Sequence, residues 1–323
     1  SLLILTKLVE QFHNNIFEKI LALLFVIAMP GIWVNAMWFH PDYMMTAFLM
    51  ASMYMLFRSN EIGDRYYWLS VLFWGIAVAV KVQAITFAPV LIWSVLIMIR
   101  NKSGSEQFVQ ILAASFVSIV IIFVILNPYV IHPKGANAWF QVFVSNIESN
   151  ASNHGRVGEL SLEFKIKNAI ELFYVPMVLF IMLLLLSLIA IYKEWNSKQL
   201  RLSGMAAAYI LPNTLYLLFF VNKAWNHYYL PIFIMAPLIF SFGINLLRDR
   251  FSLNLISLRA TFILLVVTQI VAFSPALKDL IELRMNGGAI SADSINRYKP
   301  QIVYESDERD KENEVYELIK EDV

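Results

Sequence analysis

Charged and imidazole side chains are scarce in this chain, so those that interrupt its apolar runs mark the places where chemistry could occur. Asp42 closes the segment Trp38-Phe39-His40-Pro41-Asp42 between two apolar stretches. A carboxylate at the mouth of a helix bundle can act as a general base, ligate a metal or bind sugar hydroxyls. It also opens a helix behind Pro41, where it faces the positive end of the helix dipole, so a capping role fits equally well. Lys81 follows Gly75-Ile76-Ala77-Val78-Ala79-Val80. An ionisable residue this near a bilayer core is a candidate for function, while the plainer reading is a lysine that snorkels to the interface. Asn127-Pro128-Tyr129 ends another apolar stretch and leads to His132, Lys134, Glu148, His154, Arg156 and Glu159. Such a mixture suits an anionic, hydroxyl-rich substrate, and it equally suits an ordinary wet loop. In Lys223-Ala224-Trp225-Asn226-His227-Tyr228-Tyr229-Leu230-Pro231, a lysine and a histidine sit beside aromatics. They could hold a phosphate and stack a sugar, or form an interfacial belt. Asn150-Ala151-Ser152 matches the glycosylation triplet, a pattern frequent by chance.

The elements that must position these residues are set by composition. Hydrophobic residues make up 59% of the 323 residues, charged ones only 15%, and mean hydropathy is +0.62. Soluble domains carry about a quarter charged residues. A disordered chain, a nucleic-acid-binding domain and an ordinary cytosolic enzyme are therefore excluded, and a multi-pass integral membrane protein of a plasma or inner membrane is expected. Cysteine is absent, which removes disulfides, thiolate metal sites and cysteine nucleophiles. No Walker, dinucleotide-binding, HExxH or GxSxG pattern occurs, so no cofactor is evident. The histidines lack metal-ligand spacing, and a divalent cation would have only Asp42 to suggest it.

Nine apolar segments suit transmembrane helices, at about 18–38, 42–57, 67–80, 83–99, 108–127, 170–192, 203–221, 228–247 and 259–276. No period-2 alternation indicates a barrel. The fold expected is an all-α transmembrane bundle with about nine spans plus a partial N-terminal helix. Ser1–Thr6 reads as the end of a helix cut partway, so the chain is expected to be an N-terminally truncated fragment. The stretch 67–99 could be one helix or two. Two helices place 12 of the 18 basic residues before the tail on one side, among them Arg58, Arg65, Arg100, Lys102, Lys193 and Arg201, and the positive-inside rule prefers that reading. The N-terminal end then faces the cytoplasm. Trp38–Asp42, a long loop over 129–168, Asn222–His227 and the C-terminal tail lie outside. The transmembrane domain spans 1–277. Residues 278–323 form an acidic extramembrane tail with 7 Lys and Arg against 12 Asp and Glu.

Four segments, taken in order, resemble the GT-C glycosyltransferases that use polyprenyl-phosphate-linked sugars, most nearly the dolichyl-phosphate-mannose-protein mannosyltransferase-like group. Ala28-Met29-Pro30 leads to His40-Pro41-Asp42 and a helix ending in Arg58. Gly75–Val82 contains Val80-Lys81-Val82, Asn127-Pro128-Tyr129 opens a stretch with His154-Gly155, and His227-Tyr228-Tyr229-Leu230-Pro231 leads to Ala236-Pro237. The likeness covers about residues 16–250. It implies inversion of the anomeric carbon in one displacement, with a carboxylate on an outer loop as base and a polyprenyl phosphate as leaving group. Stabilising that leaving group is an electrostatic task. By the likeness, Asp42 matches a secondary acidic position and the main base lies upstream of Ser1. His40, Lys81, Tyr129, His154, Arg156, Lys223, His227 and Tyr228 become candidates to contact the donor's phosphate or sugar. Where many members carry Arg before the Tyr of the last segment, this chain has His227. The expected partners are the donor, membrane lipid and an unspecified acceptor, with no nucleic acid. A transporter or flippase, and a lipid-linked glycan polymerase or ligase, are the competing readings.

Overall fold

A computed structural model describes residues 2–12, 16–29, 31–32, 41–103, 108–152, 160–173, 177–196, 202–222, 226–251, 260, 263–271 and 274. Among them every regular element is helical. The helices are α1 (Leu2–Val9), α2 (Ile16–Ile27), α3 (Pro41–Arg58), α4 (Arg65–Val80), α5 (Ala88–Met98), α6 (Phe108–Leu126), α7 (Pro133–Ser152), α8 (Leu162–Phe173), α9 (Met177–Asn196), α10 (Leu202–Phe219) and α11 (Leu230–Phe251). Short 3-10 turns at Val82–Phe87, Pro128–Ile131 and Asn226–Tyr229 precede α5, α7 and α11. The chain divides into two units, 1–278 and 279–323. The second, which holds nearly all of the acidic tail, lies outside the described residues.

Five helical stretches among the described residues are long and apolar enough to cross a membrane: Val82–Asn101, Phe108–Leu126, Met177–Asn196, Leu202–Phe219 and His227–Leu247. Arg65–Val80 is apolar but shorter. The expected nine spans are therefore not confirmed among the described residues. Pro41–Arg58 is long enough, but Asp42, Arg58, two tyrosines and hydroxyl residues dilute its apolar character. The described part of the 18–38 segment is a helix of only 12 residues, Ile16–Ile27. The 259–276 segment is described only in part.

The stretch 67–99 is two helices. Lys81 leaves helical geometry at φ −154°, ψ 118°, while its N–H still closes the last turn of α4 on Ala77. A 3-10 turn follows, and the Trp74 indole donates to the Ala84 carbonyl at 2.8 Å, tying the turn back to α4. Pro89 then falls in the first turn of α5, where its missing N–H has no helical partner to lose. The start of α4 is equally defined. Asp64 Oδ1 accepts from the Tyr67 N–H at 2.7 Å, Oδ2 accepts from the Asn60 N–H, and the Ser59 hydroxyl also donates to Oδ1.

Helices pack where small or hydroxyl-bearing residues allow close approach, as expected when lipid supplies little hydrophobic drive between them. Ser52 on α3 bonds both the hydroxyl and the carbonyl of Ser70 on α4 at 2.9 Å. The Tyr67 and Ser115 hydroxyls join α4 to α6 at 2.9 Å. A β-carbon at Gly75 would lie 2.7 Å from Ile122 Cδ1, and one at Gly204 on α10 would run into the Trp93 ring of α5.

Burial works to raise the pKa of Asp64, but the hydrogen bonds from Tyr67, Asn60 and Ser59 outweigh it and hold the group below the usual carboxylate range. A depressed folded-state value stabilises the fold above the unfolded value and loses that contribution as pH falls through the folded one. Asp64→Ala should therefore cost about 1 kcal/mol near neutral pH. In unfolding measurements on detergent-solubilised protein, the gap between variant and wild type should close below roughly pH 4.

Candidate functional site

Asp42 lies in the first turn of α3 and is fully buried, although the segment around it reads as hydrophilic. Lys81 Nζ lies 2.8 Å from both Oδ1 and Oδ2 of Asp42. The lysine side chain retains 23% exposure against 0% for its partner. Because the chain abandons the helix at Lys81, the side chain can leave α4 sideways towards α3. The same ammonium sits 4.9 Å from the centroid of the Tyr228 ring, on the turn that opens α11. Carboxylate, ammonium and aromatic face thus come from three elements far apart in sequence.

A connected set of hydrogen bonds surrounds this trio. Asn127 donates its side-chain amide to the carbonyls of Phe123 and Ala79, tying the end of α6 to the end of α4. The Tyr228 hydroxyl donates to Asn150 Oδ1 at 3.2 Å. The Asn150 carbonyl accepts from the Asn222 N–H at 2.6 Å, and Asn222 Oδ1 accepts from the Leu160 N–H at 2.6 Å. Lys165, buried on α8, donates to the Leu218 carbonyl at the end of α10. The C-terminal ends of α4, α6 and α10 and the N-terminal ends of α3 and α11 therefore gather at one end of the bundle, with α7 and α8 joined to them.

The four segments singled out in the sequence converge here. Lys81 touches both Asp42 and Tyr228, and Asn127 is bonded two residues before Lys81. His227 packs edge-to-face on Tyr228 with ring centroids 4.6 Å apart. Tyr129 does not join them. It is exposed on the turn before α7, and its carbonyl accepts from the His132 N–H. His40, His154, Arg156 and Lys223 lie outside the described residues.

The structure adds detail to two readings. A snorkelling Lys81 would have water as its main partner, whereas this one is held by a carboxylate and an aromatic ring. The 129–168 stretch is chiefly helical, comprising α7 and the start of α8. Sequence reading also passed over Asn222 and Lys165, which order the surroundings of the pair. In the sequence Lys165 is one more charge within the 129–168 stretch, and Asn222 carries no signal beyond its position at the end of an apolar run.

The arrangement offers a ligand one reachable charge. An incoming anion meets the partly exposed Lys81 ammonium, with the Tyr228 ring beside it, before it meets the buried carboxylate. Among the described residues no group of three or more His, Asp and Glu side chains could hold a metal ion. Comparison with family models, curated proteins and solved structures finds no match.

Removing one partner of a buried ion pair strands the other charge, at a cost of roughly 3–5 kcal/mol. Lys81→Met and Asp42→Asn should each destabilise the protein towards the lower end of that range, since Lys81 keeps some solvent. The double variant should recover a large part of the loss. A double-mutant cycle read by unfolding in micelles checks this, and simple additivity would show that the two groups do not depend on each other.

Proposed function

We propose that this chain belongs to a membrane glycosyltransferase that moves a sugar, with inversion, from a polyprenyl-phosphate-linked donor on the outer face to a lipid, glycan or protein acceptor. One observation carries the reading. The four segments whose order resembles that enzyme class meet at one end of the helix bundle, around Asp42, Lys81 and Tyr228. A buried ion pair is poor value as a structural fastener, because well-packed apolar residues hold helices as well or better. Its presence fits a task that needs charge.

On this reading Lys81 binds the donor phosphate and stabilises the negative charge that grows on the leaving group as the glycosidic bond breaks. Asp42 holds Lys81 in place and is a positioning residue, since its oxygens are buried against the ammonium. The base that takes the acceptor's proton is a different carboxylate. Tyr228 fixes the second side of the ammonium and links it to Asn150.

The transporter alternative is less well supported. Transporter sites lie on broken helices near the bilayer midplane. Here the break at Lys81 lies at a helix end, level with the ends of α6 and α10.

The test uses the complete protein, as its cell produces it, in lipid nanodiscs with radiolabelled polyprenyl-phosphate sugars. Wild type should transfer label to a lipid, glycan or protein acceptor. Lys81→Met should lower the rate about 10²–10³-fold, the usual cost of removing one electrostatic stabiliser. Lys81→Arg should retain part of the rate. Absence of transfer from every donor tried would sink the proposal, and an unchanged rate in Lys81→Met would remove the ion pair from the site.

A further inference from the structure

Helix α7 has no place among the apolar spans, yet it is strongly two-faced. Phe140, Phe143, Val144 and Ile147 recur at the i, i+3, i+4, i+7 spacing of one helical face. Lys134, Gln141, Ser145 and Glu148 line the flank of the helix beside that face, all four exposed, while Val142 lies exposed farther round. One edge of the apolar face is taken by the bundle, where Trp139 packs on Phe123 of α6 with centroids 5.3 Å apart and stacks on Phe143. The rest is uncovered, with Phe140 and Ile147 more than half exposed.

The two ends of α7 fix its direction. Its first residue follows α6 after one short turn, Pro128–Ile131. Its last turn carries Asn150, bonded to the Asn222 N–H just beyond α10 and to Tyr228 at the start of α11. Those ends of α6, α10 and α11 gather at the same end of the bundle. A helix of 20 residues is about 30 Å long, and both of its ends sit at that level. It therefore runs along the end of the bundle, not through it.

What covers the apolar face follows from its neighbour. α6 is apolar along its length and mostly exposed, with Val117, Val120, Ile121, Ile125 and Leu126 all outward. A patch that large belongs in lipid. The exposed face of α7 begins where that lipid-facing surface ends. Lys134 and Glu148 balance on the polar face, so attraction to anionic lipid is not what would hold it.

We propose that α7 is an in-plane membrane-surface helix, with Phe140, Val144 and Ile147 seated in the boundary between headgroups and acyl chains and Gln141, Ser145 and Glu148 in water. Helices of this pattern bury their apolar face about 5–10 Å into that boundary. This inference does not rest on the proposed function.

The chain has no cysteine, so single cysteines carry a nitroxide label without competing thiols. Labels at 140, 141, 144, 145, 147 and 148 of the full chain are compared by electron paramagnetic resonance power saturation in phosphatidylcholine vesicles. Oxygen should relax the labels at 140, 144 and 147 more than a water-soluble nickel complex does, with the order reversed at 141, 145 and 148. Phe140 and Ile147 are already exposed, so replacing them leaves the core intact, and Val144 gives a third reading of the same face. Water accessibility at all six positions would overturn the proposal. So would exclusion of both reagents at 140 and 147, which would mean a protein partner covers the face. A periodic profile that appears only with anionic lipid would also overturn it, in favour of an electrostatic patch.

Discussion

A carboxylate buried among helices must keep a cation, and the Asp42–Lys81 pair imposes that condition on everything around it. Stripping two charges of water costs several kcal/mol per ion unless the geometry is close and the remaining valences are filled. Nζ meets both oxygens of Asp42 at 2.8 Å and the face of Tyr228 at 4.9 Å. Reaching that geometry explains the break in the chain at Lys81. A lysine continuing α4 would direct its side chain by helical periodicity alone. Extended backbone at this one residue frees it, and the Trp74–Ala84 bond secures the turn that follows. The register of α3 against α4, and the seat of Tyr228 at the head of α11, follow from the same requirement.

Around this centre, backbone polar groups decide which elements can sit together. The last carbonyls of a helix have no partner within it. Asn127 supplies donors to Phe123 and Ala79, and Lys165 supplies one to Leu218. The bonds to Ala79 and Leu218 each tie one element to the end of another. The result is a layer in which α7, α8 and the ends of α4, α6 and α10 share hydrogen bonds. Tyr228, through Asn150, couples that layer to the ion pair. Farther into the bundle the contacts change character, to serine pairs and to Gly75 and Gly204 under large side chains. Polar satisfaction organises one end of the molecule, and close packing organises the rest.

The sequence exposes this plan unevenly, for physical reasons. Helix, apolar spans and the break near Lys81 are local signals, carried by composition, length and an ionisable residue in an apolar run. The candidate status of Asp42 and Lys81 was legible in the same way. Their pairing was not, because 39 residues separate them and no periodic rule connects the mouth of one helix to the end of the next. Tyr228 stood out as one aromatic among several, and only the fold distinguishes it from Tyr129. Span number is less legible for a different reason. Apolar residues line the buried faces of short or mixed helices such as α3 as readily as they face lipid, so a hydropathy reading counts both. The pattern of α7 was present at Phe140, Phe143, Val144 and Ile147, but the polar residues between them made the stretch look like a loop.

Charge balance sets the last constraint on the proposed chemistry. Asp42 and Lys81 together are neutral, so a donor phosphodiester brought to Lys81 leaves the site with one net negative charge. Cleavage of the glycosidic bond leaves a phosphate monoester, with more charge still. In a site of low dielectric such an excess costs far more than in water, and the buried carboxylate cannot relieve it by moving away. A second positive group must therefore arrive with the donor or be made there by protonation. His227 lies beside Tyr228, and an imidazole is the side chain whose charge changes nearest neutral pH. On the proposed reading, His227→Arg, which puts a fixed charge beside Tyr228, should therefore tighten donor binding.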